Sequence, residues 1–278
     1  MRLLSLLLLL GTLASGCADE PPAGELGKRI VATTTQAADI ARAATGLEVR
    51  GLIPPGADPH DYELRPDDLE ALAGADLVVR SGGELDEWVD EAIESSGFDG
   101  ALVVLKGDRE DPHWWHDPRA AAEAASSVAT VAGVDATPYT ERIRRLDAAI
   151  ERCAARVPGA QRVLVTTHDA LGPFAERYGF SVVGTVIPSN STQAQPSSAD
   201  LSRLVKDVRQ AGVKTIFPET SVPADVEQAI ADEAGAEVGE ALYADTLGPK
   251  GSPGDTYLKA TAFNARAILA SVGADCDF

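Results

Sequence analysis

Eight short apolar runs rich in β-branched residues recur along the chain, and segments of helical periodicity lie between them. Runs of this length, bounded by polar and turn residues, are typical of buried β-strands. They fall into two sets of four: 29–34, 49–53, 76–80 and 101–105, then 162–167, 181–187, 214–217 and 236–242. The helix-like segments between them include 36–44, 66–73, 198–211 and 224–234. This alternation predicts parallel sheets with helices on their faces.

One segment between the two sets carries an unbroken helical pattern. Thr137 is a suitable N-cap, Pro138 suits the first helical position, and no Gly or Pro follows before Pro158. Apolar side chains recur at steps of three and four, at Tyr139, Ile143, Leu146, Ile150, Cys153 and Val157. About 20 residues at about 1.5 Å each make a helix about 30 Å long, enough to cross a small protein. The segment is therefore predicted to bridge two lobes of similar build.

These patterns predict an α/β fold of two lobes, each with a four-stranded, mostly parallel sheet flanked by helices. The predicted division of the chain is a signal peptide at 1–16, a tether at 17–27, an N-terminal lobe at 28–136, a bridging helix at 137–158 and a C-terminal lobe at 159–278. In open α/β sheets, ligands bind in the crevice beyond the carboxyl ends of the strands. A binding site is therefore expected between the lobes.

The N-terminus has the features of a secretory signal. Arg2 precedes an apolar stretch that is too short to span a bilayer. The stretch ends in Leu-Ala-Ser-Gly-Cys17, which resembles a bacterial lipobox with Cys17 as the lipidated residue, although Ala14 stands where leucine is usual. An ordinary cleaved signal peptide is the alternative. We expect a protein outside the cytoplasm, at the cell surface or in the periplasm, anchored to the membrane by lipid on Cys17.

The composition favours a globular protein and argues against one that binds nucleic acid. The hydrophobic fraction is 45%, which suits a globular core, and the formal net charge is −19. No basic stripe is present, so nucleic-acid binding is not expected. An acidic surface raises the local concentration of cations, although a solvated acidic face explains most of the excess. Outside the signal, Cys153 and Cys276 remain, and a pair in an oxidising compartment predicts a disulfide, with two unlinked thiols as the alternative.

Three of the four histidines follow predicted strands. His60, His113 and His168 come after the second, fourth and fifth strands, where side chains face the crevice. Asp245 follows the last strand and has the same topological position. Imidazole suits zinc, and a closed zinc site is tetrahedral with four ligands. A hydrogen-bonded loop residue is the simpler interpretation of any one histidine, but three in equivalent positions favour a metal site with two ligands from each lobe.

Two further residues lie near this predicted site. His116 does not follow the strand-end pattern, so we expect it to be a solvent-side neighbour, with His-x-x-His ligation as the alternative. Glu219 ends a strand and is predicted to accept the N–H of a ligand imidazole, with a helix-cap or surface role as the alternative. Four carboxylates that flank the ligands are further candidates to accept the N–H of a ligand imidazole: Asp58, Asp61, Asp117 and Asp169.

These segments resemble the zinc- and manganese-binding lipoproteins of metal ABC transporters. The similarity lies, in order, in Gly-Ala-Asp-Pro-His60-Asp-Tyr-Glu, Asp-Pro-His113-Trp-Trp-His-Asp-Pro, His168-Asp-Ala-Leu-Gly-Pro and Tyr-Ala-Asp245-Thr-Leu. The resemblance covers about Arg29 to Leu269 and implies that these four residues bind the metal in a two-lobed fold bridged by a long helix. The third ligand is His or Glu in that family, and His168 favours zinc, since manganese prefers harder ligands. One departure is the short acidic segment 106–111, where many zinc-binding members have a long His-rich loop.

The resemblance implies a monomer that captures Zn²⁺ as a transported ligand and delivers it to an ABC permease in the membrane. The sequence has no nucleotide-binding Gly-x-x-x-x-Gly-Lys-Ser/Thr loop, so it is not the ATPase of such a system. A Mn²⁺-binding protein of the same class is one alternative, and a zinc-dependent hydrolase with Glu219 as the base is another. Catalytic zinc keeps one position open, whereas three histidines and Asp245 would fill all four. We therefore expect a binding protein and not an enzyme.

Overall fold

Each half of the chain forms parallel β-strands with helices packed against them in the computed structural model, which describes residues 28–105 and 111–278. The predicted signal peptide and tether, with Cys17, lie outside the described residues. So does most of the short acidic segment, 106–110.

The N-terminal lobe contains one continuous sheet. Its strands are β1 (Ile30–Ala32), β2 (Val49–Gly51), β3 (Leu77–Arg80) and β4 (Ala101–Val104). Its helices are α1 (Thr35–Thr45), α2 (Pro66–Ala73), α3 (Trp88–Ser96) and α4 (Pro118–Ala132). The strands lie in the order β2-β1-β3-β4 and all neighbours are parallel. All four carboxyl ends therefore reach the same edge of the sheet.

The C-terminal lobe has the same alternation of strands and helices, but its strands pair less continuously. Its strands are β5 (Val163–Thr166), β6 (Ser181–Thr185), β7 (Thr215–Ile216) and β8 (Glu237–Val238). Its helices, numbered after the bridging helix α5, are α6 (Gly172–Tyr178), α7 (Ser198–Ala211), α8 (Asp225–Ala234) and α9 (Tyr257–Ser271). The pairs β5–β6 and β7–β8 are parallel.

These two pairs are not the regular four-stranded sheet that the sequence predicts. They meet at a single bridge between Thr166 and Phe217, which gives the spatial order β6-β5-β7-β8. The register of β5 against β6 shifts between Leu164 and Val165, and β7 is followed within two residues by Pro218, which has no N–H to extend the ladder. The eight strands nonetheless form at the predicted places, and the two-lobe α/β fold is confirmed.

The bridging helix α5 runs over Thr137–Ala154, and its buried face enters both lobes. Tyr139 and Ile143 pack with α1 and α4, whereas Ile150 and Cys153 pack in the core around β5 and α9. The prediction of Thr137 as the N-cap is wrong by one residue, since Ala136 is the N-cap.

Both ends of α5 have a local explanation. At the N-terminus, the Asp135 carboxylate accepts the Thr137 N–H at 2.9 Å, so no hydroxyl cap is required. At the C-terminus the helix ends before the predicted residue 158, because Pro158 disfavours helical geometry at Val157. The N–H groups of Arg156 and Val157 instead make tight-turn bonds to Cys153 and Ala154. The boundaries of the remaining predicted segments stay a prediction.

A disulfide joins Cys153 of α5 to Cys276, whose Cα atoms are 6.3 Å apart. It ties the C-terminal residues to the bridging helix. Within 28–105 and 111–278, no helix combines the length and the apolar character needed to cross a membrane.

Candidate metal centre

Four potential metal ligands converge between the lobes. One ligand atom from each of His60, His113, His168 and Asp245 lies within 4.8 Å of the others. The side chains of His113, His168 and Asp245 are fully buried, and His60 is the only one of the four that reaches solvent. The structure thus brings together the four residues that strand-end topology selects, two from each lobe. That they bind a metal stays a prediction.

His60 is positioned by a 3₁₀ turn, Pro59–Asp61, just beyond β2. Asp58 caps this turn, because its Oδ1 accepts the His60 N–H at 2.9 Å. Upstream, the Gly56 N–H is bonded to Leu247 O at 3.0 Å, on the segment that carries Asp245. Gly56 has φ +84°, which glycine adopts without strain. The turn that carries His60 is therefore held against the other lobe.

His113 is oriented by a carboxylate two residues away. Asp111 Oδ1 lies 2.8 Å from both the backbone N and the Nδ1 of His113. This contact fixes the tautomer with Nδ1–H and leaves Nε2 free to bind a metal. Asp111 was not predicted as this partner. The only available signal was its place in Asp111-Pro112-His113, the same pattern as Asp58-Pro59-His60, where the aspartate bonds to the backbone of the histidine and not to its ring.

His168 lies directly beyond β5 and is oriented by Glu219. The Nδ1 of His168 lies 2.5 Å from Glu219 Oε1, which also accepts the His168 backbone N–H at 3.2 Å. Glu219 is 3% exposed. Its position is the one expected of an acceptor for a ligand imidazole, and neither alternative role is required to explain it.

Asp245 is held by contacts of its neighbours. The carbonyl of Ala244 accepts the Trp115 indole N–H at 2.8 Å and the Gln36 amide at 3.4 Å, both from the N-terminal lobe. On the other side, the Leu247 N–H donates to the Thr35 hydroxyl at 2.9 Å. These bonds across the lobe junction fix the Asp245 carboxylate among the three imidazoles.

The Nε2 atoms of all three histidines face the Asp245 carboxylate. They lie 3.2 Å (His60), 3.4 Å (His113) and 3.2 Å (His168) from one of its oxygens. Although these distances suit ion pairs, both Asp245 oxygens and the His60 Nε2 lack a hydrogen-bond partner among the described residues. Buried polar atoms that are unpaired and lie within 4.8 Å of one another are typical of the ligands of one ion.

The electrostatics of this cluster are coupled. Burial opposes the charged form of Asp245, but the imidazoles of His168 and His113 outweigh it and hold the pKa of Asp245 well below its usual range. Burial also opposes a charged His168, but Asp245 and Glu219 outweigh it and raise the pKa of His168 to about 11. Without a metal, the two carboxylates therefore favour the protonated form of His168.

The prediction for His116 is wrong. Its side chain is buried, with 7% of the residue exposed, and is not a solvent-side neighbour. It ends the 3₁₀ turn Trp114–His116, which directs the ring inward against Trp115, with ring centroids 5.8 Å apart. Burial, with a smaller contribution from His113, lowers the pKa of His116 to about 3. It is not part of the four-residue cluster, so the His-x-x-His alternative has no structural support.

The four flanking carboxylates have different positions. Asp58 contacts the His60 turn, as described above. Asp117 caps α4, where it accepts the Arg119 N–H at 2.9 Å. Asp61 and Asp169 are exposed. Of these four candidates, therefore, only Asp58 supports a ligand.

Comparison with known proteins identifies the family to which the chain is similar. Residues 30–271 match the family model described as zinc-uptake complex component A, periplasmic. The zinc-binding protein TroA of Treponema pallidum is 29% identical over 277 residues, which cover 88% of this chain and 89% of TroA. The manganese-binding lipoprotein MntA of Halalkalibacterium halodurans is 25% identical, with 96% of each chain covered. The iron-binding protein YfeA of Yersinia pestis is 28% identical, with 88% of this chain and 86% of YfeA covered.

The solved structure of the periplasmic zinc-binding protein TroA from Treponema pallidum has the same fold. It superimposes with a TM-score of 0.80 at 27% identity, over 88% of this chain and 99% of that one. The relatives are named for three different metals, so similarity alone does not distinguish among metals. The choice of metal must come from the donor atoms of the cluster.

Proposed function

Because the chain belongs to the family of periplasmic zinc-uptake complex A components, we propose that it captures Zn²⁺ outside the cytoplasm and delivers it to an ABC-type importer in the membrane. The coarser class, a metal-binding protein that serves an ABC importer, follows from the family and from relatives such as the metal ABC transporter substrate-binding lipoprotein FimA of Streptococcus parasanguinis. The observation that carries the proposal is the buried cluster of three imidazoles and one carboxylate between the lobes.

The donor atoms favour zinc over manganese. Three nitrogens and one oxygen suit zinc, whereas manganese prefers a set richer in oxygen. In a tetrahedral site with bonds of about 2.0–2.1 Å, neighbouring ligand atoms are separated by about 3.3–3.4 Å. The His113 and His168 Nε2 atoms lie 3.2 Å apart, and the Nε2 atoms of His60 and His168 each lie 3.2 Å from the same oxygen, Asp245 Oδ2. These three spacings are close to those of a zinc site.

The proposed role is capture without catalysis. Four protein ligands fill a tetrahedral ion and leave no position for an activated water. Glu219, the base of a hypothetical hydrolase, is bonded to His168 at 2.5 Å and is directed at the ligand rather than at a substrate. Stoichiometric metal binding without turnover of ester or peptide substrates is the expected result.

The proposed location is the outer face of the cell membrane. Two relatives with high coverage, MntA and FimA, are named lipoproteins, and Cys17 ends a segment that resembles a lipobox. We expect Cys17→Ala to move the protein from the membrane fraction to the soluble fraction. A Cys17→Ala protein that stays on membranes would contradict lipid anchoring through this residue.

The test of the function is metal analysis followed by competitive titration of purified protein beginning at Ala18. We expect one tightly bound Zn²⁺ per chain that Mn²⁺ does not displace. His168→Ala should lose this binding, whereas His116→Ala is the matched control, since it removes a nearby buried histidine outside the cluster. Tight Mn²⁺ binding with weak Zn²⁺ binding would keep the transport class and overturn the metal, and no binding of either would overturn the site.

A further inference from the structure

One loop of the C-terminal lobe contacts the surroundings of ligands from both lobes. It comprises residues 188–197, between β6 and α7. Its Ser189 carbonyl accepts the N–H of Asp169, the residue after His168, at 3.0 Å. Three residues later, the Thr192 hydroxyl donates to Asp58 Oδ2 at 2.6 Å, across the lobe junction. The 188–197 loop thus connects the backbone beside His168 to the carboxylate beside His60.

Asp58 uses its two oxygens for two different tasks. Oδ1 accepts the His60 N–H and so caps the turn that presents this imidazole, while Oδ2 accepts the Thr192 hydroxyl. A hydrogen bond to a carboxylate is stronger than one between neutral groups. His60 itself lies 3.2 Å from Asp245 Oδ2, and Gly56, just before the turn, is bonded to Thr246 and Leu247 of the C-terminal lobe.

The turn that carries His60 is the least buried part of the cluster. His113, His168 and Asp245 are 0%, 0% and 1% exposed, whereas the His60 side chain is 7% exposed and, within its 3₁₀ turn, only Pro59 is a buried residue. Segments with few buried contacts open locally at lower cost than core segments. A bound ion can therefore leave by displacement of His60 without separation of the lobes.

We propose that the Thr192–Asp58 hydrogen bond holds the His60 turn closed and thereby limits the rate at which the captured metal leaves. This inference rests on the proposed function. Thr192 is a positioning residue: it acts on His60 through Asp58 and has no place among the four ligand atoms. The 188–197 loop and the His60 turn together form a latch on the exposed side of the site, defined by this one bond.

The test measures the rate of Zn²⁺ release from purified protein into excess chromogenic chelator by stopped flow. Thr192→Val keeps the shape of the side chain but removes the donor, and we expect release about tenfold faster, the scale of a lost hydrogen bond to a charged group. Thr192→Ser restores the hydroxyl and should restore the slow rate. Ser191→Ala is the matched control, since among the described residues the Ser191 hydroxyl accepts only the Gln193 N–H, within its own loop.

The latch and a purely structural role give different results. A purely structural role would lower the thermal midpoint of the metal-free Thr192→Val protein and leave the release rate unchanged, whereas a latch changes the release rate and Thr192→Ser reverses the change. Wild-type release from Thr192→Val, or fast release that Thr192→Ser does not reverse, would overturn the latch and leave the capture function intact. A wild-type protein that retains no Zn²⁺ would overturn the proposed function and the latch with it.

Discussion

The two lobes have the same order of strands but differ in how many donors bond to their buried carboxylates. In each, a threonine just beyond the first strand donates its hydroxyl at 2.6 Å to a buried carboxylate: Thr33 to Asp86 in the N-terminal lobe, Thr167 to Glu227 in the C-terminal lobe. Asp86 also accepts from the Arg80 guanidinium and from two backbone N–H groups. Glu227 has no such additional donors among the described residues, and its Oε2 has no partner there.

The same difference appears at the metal centre. The C-terminal lobe contributes Asp245 and Glu219, both fully buried, whereas the carboxylate that the N-terminal lobe places behind His113 is Asp111, whose side chain is 35% exposed. The N-terminal lobe thus neutralises its own buried charge and offers two imidazoles, of which only that of His60 reaches solvent. The C-terminal lobe keeps two buried carboxylates beside the site, and without metal the proton favoured on His168 offsets their charge. A divalent cation takes over this compensation, since buried charge is costly unless it is paired.

The largest expected effect is on the charged ligand itself. Asp245→Asn keeps the shape and one oxygen but removes the charge, and we expect zinc affinity to fall at least about 100-fold, beyond what loss of an outer partner costs. His60→Ala, on the exposed side, should cost at least about tenfold but less than Asp245→Asn. Competition against a chelator measures both. Equal losses would contradict the assignment of the charge to the C-terminal lobe.

The carboxylates that contact the ligand imidazoles, Glu219 and Asp111, test the same difference between the lobes. Glu219→Gln keeps an acceptor for His168 but removes buried charge, so affinity should fall about 10- to 100-fold. Asp111→Asn makes the same change behind His113, where solvent screens the charge, and should cost less than about tenfold. The same competition assay applies. A larger loss for Asp111→Asn would reverse the proposed roles of the two lobes.

Zinc binding should release a proton from His168. The pKa of His168 is raised to about 11 without metal, and a metal ligand must be deprotonated, so the proton leaves when zinc enters. Between the usual histidine range and this value, zinc affinity should rise about tenfold per pH unit and fall equally as pH decreases. Calorimetry in buffers of different ionisation enthalpy counts the protons. No release between pH 7 and 9 would contradict the charged state assigned to His168.

The smallest effect on metal binding is expected from the paired threonines. Thr167→Val removes the one hydroxyl donor of Glu227 and should lower the free energy of unfolding by about 1–3 kcal/mol. Thr33→Val leaves Asp86 three other donors and should cost less. Urea unfolding of the metal-free proteins compares them, with zinc affinity close to wild type in both. A greater loss of stability for Thr33→Val would contradict the view that Glu227 has fewer stabilising donors than Asp86.

The sequence predicts the ligand cluster because the apolar runs define strand ends. Parallel strands bring those ends to one edge, so His60, His113, His168 and Asp245 could be grouped from residues far apart in the chain. The lobes and the bridging helix follow from the same periodicity. The resemblance to metal-binding lipoproteins independently indicates the same four residues.

Features set by local turns could not be predicted in the same way. The burial of His116 depends on the direction of one 3₁₀ turn, and the bond from Asp111 to His113 depends on the backbone between them. The contact of Thr192 with Asp58 joins loops 134 residues apart that have no periodic pattern. The single bridge at the centre of the second sheet and the register shift between β5 and β6 have no counterpart in the apolar pattern.

The most direct test of the central claim is X-ray absorption at the zinc edge of protein loaded with one equivalent of Zn²⁺. We expect four-coordinate zinc with three imidazoles and one carboxylate oxygen at about 2.0–2.2 Å, and no bound water. His60→Ala and His168→Ala should each lose the signal of one imidazole, which would assign both residues as ligands. A five- or six-coordinate, oxygen-rich spectrum would contradict a closed three-histidine, one-carboxylate site between the lobes.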